Sequence, residues 1–244
     1  LAAQVATPGF DTRLATDLDA TSVCVRYNTG RHISLNGEQL AGQLDALVGG
    51  WPVPVARLTL VGHSMGGLVA RSALHYGAEM GWKALVDRVV LLGVPQRGAP
   101  LEQLTHIAAF TLRAIPNPWT WGIAWLLRQR SAGIQDLRHG YLVHDEWQER
   151  EPHALTVARR YALSLTEGIP HYVAAGSLAS SEHHVLSKLV GDAMVTPFSA
   201  KDEGVTGSPT PRSATDARVF PGVSHVRIAG DDAVYEQVLA WCRL

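Results

Sequence analysis

Residues 61–67 read Val61-Gly62-His63-Ser64-Met65-Gly66-Gly67, and the flanking stretches give them meaning. An alternating apolar run from Ala56 to Val61 precedes them and predicts a strand. Leu68 to Tyr76 follows and predicts a helix. The whole is strand, tight turn, helix, with Ser64 at the turn, in the pattern G-x-S-x-G. A turn this sharp forces the serine into a strained backbone and lifts its hydroxyl above the sheet edge. The residues two before and two after it approach closely, so Gly62 and Gly66 are expected where a Cβ would clash. Gly67 is expected to let the helix pack close to the strand. The Met65 amide falls at the helix N-terminus, where partial positive charge favours an anion. The turn thus offers a candidate nucleophile, Ser64, beside a candidate oxyanion donor, Met65 N–H.

The rest of the chain supplies a sheet for this turn. Thr12 to Asp19 reads as a helix end, and Thr21 to Tyr27 as a β-branched strand. Ser34 to Val48 has apolar residues at helical spacing, closed by Gly49-Gly50. Arg88 to Leu92 is a strand too apolar for a sheet edge, which points to parallel pairing. His171 to Ala175 and Ala217 to Phe220 predict two more strands, and Asp231 to Arg243 a final amphipathic helix with Asp231 or Asp232 near its N-cap. Strands alternating with helices predict an α/β fold with a mostly parallel, doubly wound sheet flanked by helices. Between the strands, residues 101–160 hold helical stretches and four of the seven tryptophans, Trp119, Trp121, Trp125 and Trp147. They are expected to form a helical cap within one domain spanning 1–244. The tryptophans read either as core or as an apolar wall for an acyl group.

Composition excludes several classes. The chain has 244 residues, of which 46% are hydrophobic, enough for a sizeable core. The net charge is -1 and no basic stripe occurs, so nucleic acid is not an expected partner. No apolar run reaches the roughly 20 residues of a transmembrane segment. Leu1 to Ala6 is too short for a signal peptide, which favours the cytoplasm while leaving the compartment open. Cys24 and Cys242 are expected as two buried free thiols. No tight His/Cys/Asp cluster suggests a metal, and no cofactor is expected. The oligomeric state stays open.

A serine needs a base, usually histidine held by a carboxylate. In a fold with this turn the chain order is Ser, then Asp or Glu, then His. His225 lies in the loop after the last strand and before the last helix, where the base belongs. His63 is set aside, because its side chain is expected to leave the turn in the wrong direction. His183 and His184 precede the last strand. For the acid, Asp192 in a Gly-Asp-x-x-Val turn is favoured, with Asp202 and Glu203 as runners-up. Asp87 and Asp216 begin strands and fall at the wrong edge of the sheet.

These residues resemble those of α/β-hydrolases of the lipase and carboxylesterase type, related to GPI inositol-deacylase-like proteins. The resembling pieces are LVGHSMGGLVAR at 60–71, LLGVPQRGAPLE at 91–102, GDAMVTP at 191–197 and GVSHVRI at 222–228. The resemblance implies an α/β-hydrolase fold and a Ser64–Asp192–His225 triad. It implies ester hydrolysis through an acyl-enzyme, with a small-molecule ester or lipid as substrate. Alternatives are an acyltransferase or thioesterase using the same triad, or a binding protein that kept the fold and lost catalysis. Two departures stand out. Val94 and Gln96 replace Thr and His of the family's G-T-P-H-x-G-A-P loop, which usually borders the pocket. The H-G loop that supplies a second oxyanion donor has no counterpart before residue 27, so either the chain begins after it or the oxyanion hole is built differently.

Overall fold

A computed structural model describes residues 9–96, 131–148, 165, 166, 168–177 and 215–244. In chain order its elements are α1 (Phe10–Asp17), α2 (Ile33–Gly50), β1 (Leu58–His63), α3 (Met65–Tyr76), β2 (Val86–Leu92), α4 (Ala132–His139), α5 (Asp145–Gln148), β3 (His171–Ser177), β4 (Asp216–Pro221) and α6 (Asp232–Arg243). Short 3-10 turns cover Gly81–Leu85 and Arg227–Ala229.

Among the described residues the four strands form one parallel sheet, in the order β1-β2-β3-β4. β2 and β3 are central, and their apolar runs are buried on both faces, as a parallel sheet requires. Alternation sorts their side chains into two layers. Val89, Leu91, Val173 and Ala175 face a core shared with α2 and α3. Val90, Leu92, Tyr172 and Ala174 face a second core with α6, against which α1 contributes Phe10 and Leu14. Helices on both faces make the sheet doubly wound.

Two close fits hold the first layer. A Cβ on Gly37 of α2 would lie 2.2 Å from Ser72 Oγ and 2.9 Å from Ser72 carbonyl carbon, so α2 and α3 cross where only hydrogen fits. Ser72 Oγ in turn donates to Leu142 O at 2.7 Å, tying the segment after α4 to α3. In the second layer, Asp231 caps α6 and accepts from Ala233 N at 3.1 Å and Val234 N at 3.4 Å. Arg88 donates to Trp241 O, and Trp241 Nε1 donates to Asp216 Oδ2 at 2.9 Å, so one tryptophan links α6 to both β2 and β4.

Two expectations change. Thr21 to Tyr27 is not a strand. β-branched residues favour a strand only where neighbours offer partners and a packed face; here Val23 and Val25 are exposed, and Tyr27 alone of the run packs against the core. Cys24 shares that exposure, so of the two free thiols only Cys242 is buried. Of the cap expected over 101–160, only 131–148 falls among the described residues; it carries α4 and α5, which lie against the start of α2. Trp147 is the one described tryptophan of that group. Its ring stacks on His32 with centroids 3.7 Å apart, and its Nε1 donates to Ser34 Oγ at 2.9 Å. That is a packing role at the start of α2.

Candidate active site

The site grows from the carboxyl edge of the sheet. Ser64 follows the last residue of β1 and precedes the first of α3. Its φ is 52°, one of two non-glycine residues with positive φ among those described. Such a backbone is strained for an L-residue and persists only where its surroundings enforce it. The enforcement is visible: Ser64 N donates to Leu92 O at 2.9 Å, and Gly67 N to Ser64 O at 3.1 Å. Ser64 is thereby fixed to β2 on one side and to the first turn of α3 on the other.

The glycines divide the work differently from the expected Gly62–Gly66 pairing. A Cβ on Gly62 would meet Gly67 Cα at 2.5 Å, Gly67 N at 2.7 Å and the Gly66 carbonyl carbon at 3.0 Å, so Gly62 comes close to Gly66 as expected and closer still to Gly67. A Cβ on Gly67 would meet Val94 Cγ2 at 2.2 Å. On Gly66 it would meet only the Tyr27 hydroxyl at 3.5 Å, an ordinary contact. The clash-forbidding pair is therefore Gly62 and Gly67, because the strand passes closest to the second peptide of the helix. The Met65 amide opens α3, where an N–H has no partner within the helix.

His225 stands four residues beyond β4, at the same edge of the parallel sheet, and is buried. Its loop is pinned by Gly222 N to Ser177 O at 2.6 Å and by Ile228 N to Ser224 O at 3.0 Å. Val223 and Ile228 anchor it in the second core. His63, directly before Ser64, reaches this loop. Its Nε2 lies 3.1 Å from His225 O, and the two rings sit 5.0 Å apart, tilted by 35°. The expectation that His63 turns away from the site is thus corrected. The signal was available: Thr59, Val61 and His63 alternate with Leu58 and Leu60, which face the α2–α3 core, so His63 belongs to the sheet face shared with α6 and the His225 loop.

Asp192, Asp202 and Glu203 lie outside the described residues. Asp87 and Asp216 are at the opposite, amino edge, bound to Thr59 Oγ1 at 2.8 Å and to Trp241 respectively. The Trp241 indole N–H holds the Asp216 carboxyl below its usual range. In the 91–102 loop, Val94 is buried and fills the space beside Gly67. Gln96 is buried too, and its Oε1 accepts from Arg71 Nη1 at 2.9 Å. Both replacements are thus turned towards the elbow helix.

A family model, the PGAP1-like alpha/beta domain, matches residues 50–174, just over half of the chain and including the whole strand–turn–helix. The chain belongs to this PGAP1-like family. Solved structures agree on the fold. The mature lipase BlEst2 of Bacillus licheniformis is 19% identical, with a TM-score of 0.55 over 95% of this chain and 84% of the lipase. Lipase 1 from Pelosinus fermentans is 10% identical, with a TM-score of 0.55 over 96% and 91%. Phospholipase PlaB from Legionella pneumophila is 12% identical, with a TM-score of 0.52 over 96% and 56%. No curated protein sequence matches the chain. The PGAP1-like chain is an α/β-hydrolase superfamily member with a lipase-like fold. Among its described residues no helix is long and apolar enough to cross a membrane.

Proposed function

We propose that this chain is a serine hydrolase of carboxylic esters. The observation that carries the reading is the left-handed backbone of Ser64 at the mouth of a parallel sheet. Strained residues of this kind cluster at active sites, where a turn holds a reacting group in place. In the reaction, His225 takes the proton of Ser64 Oγ as the oxygen attacks the ester carbonyl. The Met65 N–H, at the positive end of α3, binds the oxyanion of the tetrahedral intermediate. His225 then gives the proton to the departing alcohol, leaving an acyl-serine. Water, deprotonated by His225, releases the acid and restores the serine. Asp192, from its place in the chain between serine and histidine, is the carboxylate that orients His225. The substrate class is a small-molecule ester or lipid with an apolar acyl group. The lipase and phospholipase names of the similar folds support that class.

The test is turnover of p-nitrophenyl esters of graded chain length. We expect Ser64→Ala and His225→Ala each to lower kcat by about 10³-fold or more at unchanged fold. Either variant retaining wild-type turnover would overturn the assignment. Running the reaction with an alcohol acceptor separates hydrolysis from acyl transfer by the same residues.

A further inference from the structure

The proposed base is carried on a loop, and loops are the least rigid way to hold a reacting group. The loop's ends are anchored by Gly222 N on Ser177 O and by Ile228 in the core. At its middle, the carbonyl of His225 itself meets His63 Nε2 at 3.1 Å. A carbonyl oxygen only accepts, so Nε2 carries the proton and donates it. His63 is bonded in the chain to Ser64, whose own amide is fixed to Leu92 O. The donor therefore stands on the same rigid turn as the serine, and the acceptor is the main chain of the histidine that must reach it. The ring contact at 5.0 Å adds a second surface between the two side chains.

We propose that His63 is a positioning residue: its Nε2–H, held on the His225 carbonyl, sets the height of the base's backbone relative to Ser64. This rests on the reading of Ser64 and His225 given above. His63 exchanges no proton with substrate. It acts through His225, by removing the freedom of the loop to carry the imidazole away from the serine oxygen. Small misplacements of this kind are costly, since about 1 Å can lower a rate by 10²-fold.

The donor position dictates the test. A glutamine amide nitrogen reaches about as far as imidazole Nε2, whereas an asparagine amide stops near the Nδ1 position. Wild type, His63→Ala, His63→Asn and His63→Gln are compared by kcat and KM on the best p-nitrophenyl ester. The same proteins are compared by melting temperature and by the rate at which a fluorophosphonate labels Ser64. Expected is a fall in kcat of roughly 10- to 100-fold for Ala and Asn, with KM changed less than about threefold. Labelling slows in parallel, and Gln regains most of both rates. Equal rates in all four proteins overturn the inference. So does a loss that follows melting temperature and is not rescued by Gln, since packing alone would then explain it. If Ala fails to fold, the Gln and Asn variants decide between these outcomes. No labelling of Ser64 in the wild type sinks the underlying hydrolase reading, and this inference with it. Normal labelling in wild type and His63→Ala alike sinks this inference alone.

Discussion

A methyl group added to Gly67 would sit 2.2 Å from Val94 Cγ2 and 3.1 Å from Leu91 Cδ2, while one added to Gly66 would find the Tyr27 hydroxyl at 3.5 Å. Valine is stiff at χ1 and buried here, so it has little room to yield. Gly67→Ala should therefore lose on the order of 1–3 kcal/mol in urea unfolding. Gly66→Ala should lose nothing and gain up to about 1 kcal/mol, because alanine is the better helix residue. Equal losses at the two positions would refute this division. At this scale the sequence disclosed residue types more readily than their partners. The motif marks Gly62, Ser64 and Gly66, yet the residue facing Gly62 is Gly67, one place beyond the pattern. His63 is set aside in the sequence on the expected direction of its side chain, although the period of β1 puts it on the face where the His225 loop lies.

Helices and strands were legible to within a few residues wherever their own pattern sufficed. Ser34 to Val48 extends by one residue at its start and two at its end, and the final helix starts one residue later than read, with Asp231, one of the two caps offered, at its N-cap. Thr21 to Tyr27 was not, because a strand is a relation between segments and its residues lack the packed face that would make one. The cap of α2, unlike its start, was hidden, since it comes from far along the chain. His32, at the N-cap position, makes no side-chain cap. Instead the buried Asp136 of α4 accepts from Ile33 N at 2.7 Å and pairs with His32 Nδ1 at 3.1 Å. Gly133 of the same helix fits against Thr29 O, where a Cβ would approach to 2.2 Å. Burial pushes the Asp136 carboxyl up, and His32 and the Ile33 amide pull it back. Asp136→Ala removes the cap and strands the Ile33 N–H, so it should destabilise by roughly 2 kcal/mol. Arg138→Ala, at an exposed site of the same helix, should change stability by less than about 0.5 kcal/mol. Chemical denaturation of the pair checks the difference; similar midpoints would mean that α4 does not support α2.

The molecule as a whole should respond to acid through His171, which opens β3. It is buried, and its Nδ1–H donates to Ile169 O at 2.8 Å, while its Nε2 has no hydrogen-bond partner among the described residues. Burial pushes this imidazole down to about 4, helped by the charge of Arg71. Its unfolded value lies near 6.5, so the unfolded chain takes up the proton first as pH falls. The folded state is unpenalised above pH 6.5 and loses stability between about 6.5 and 4, by roughly 3 kcal/mol at most. His171→Leu should flatten the stability curve over that window, whatever it does to absolute stability. An unchanged slope would show that His171 does not govern the acid response. The layered parallel sheet itself was foreseeable, since runs such as Arg88 to Leu92 are too apolar for anything but a covered strand. Its order, β1-β2-β3-β4, was not, because nothing in a strand's composition names its neighbour.

The positive φ of Ser64 places stability and activity in direct conflict at one residue. Glycine would occupy that backbone without strain, whereas a non-glycine residue there carries about 1–3 kcal/mol of it. A library screened for thermal tolerance alone would enrich glycine at position 64 and discard the proposed nucleophile, so any effort to make this protein more robust must select on catalysis in the same round.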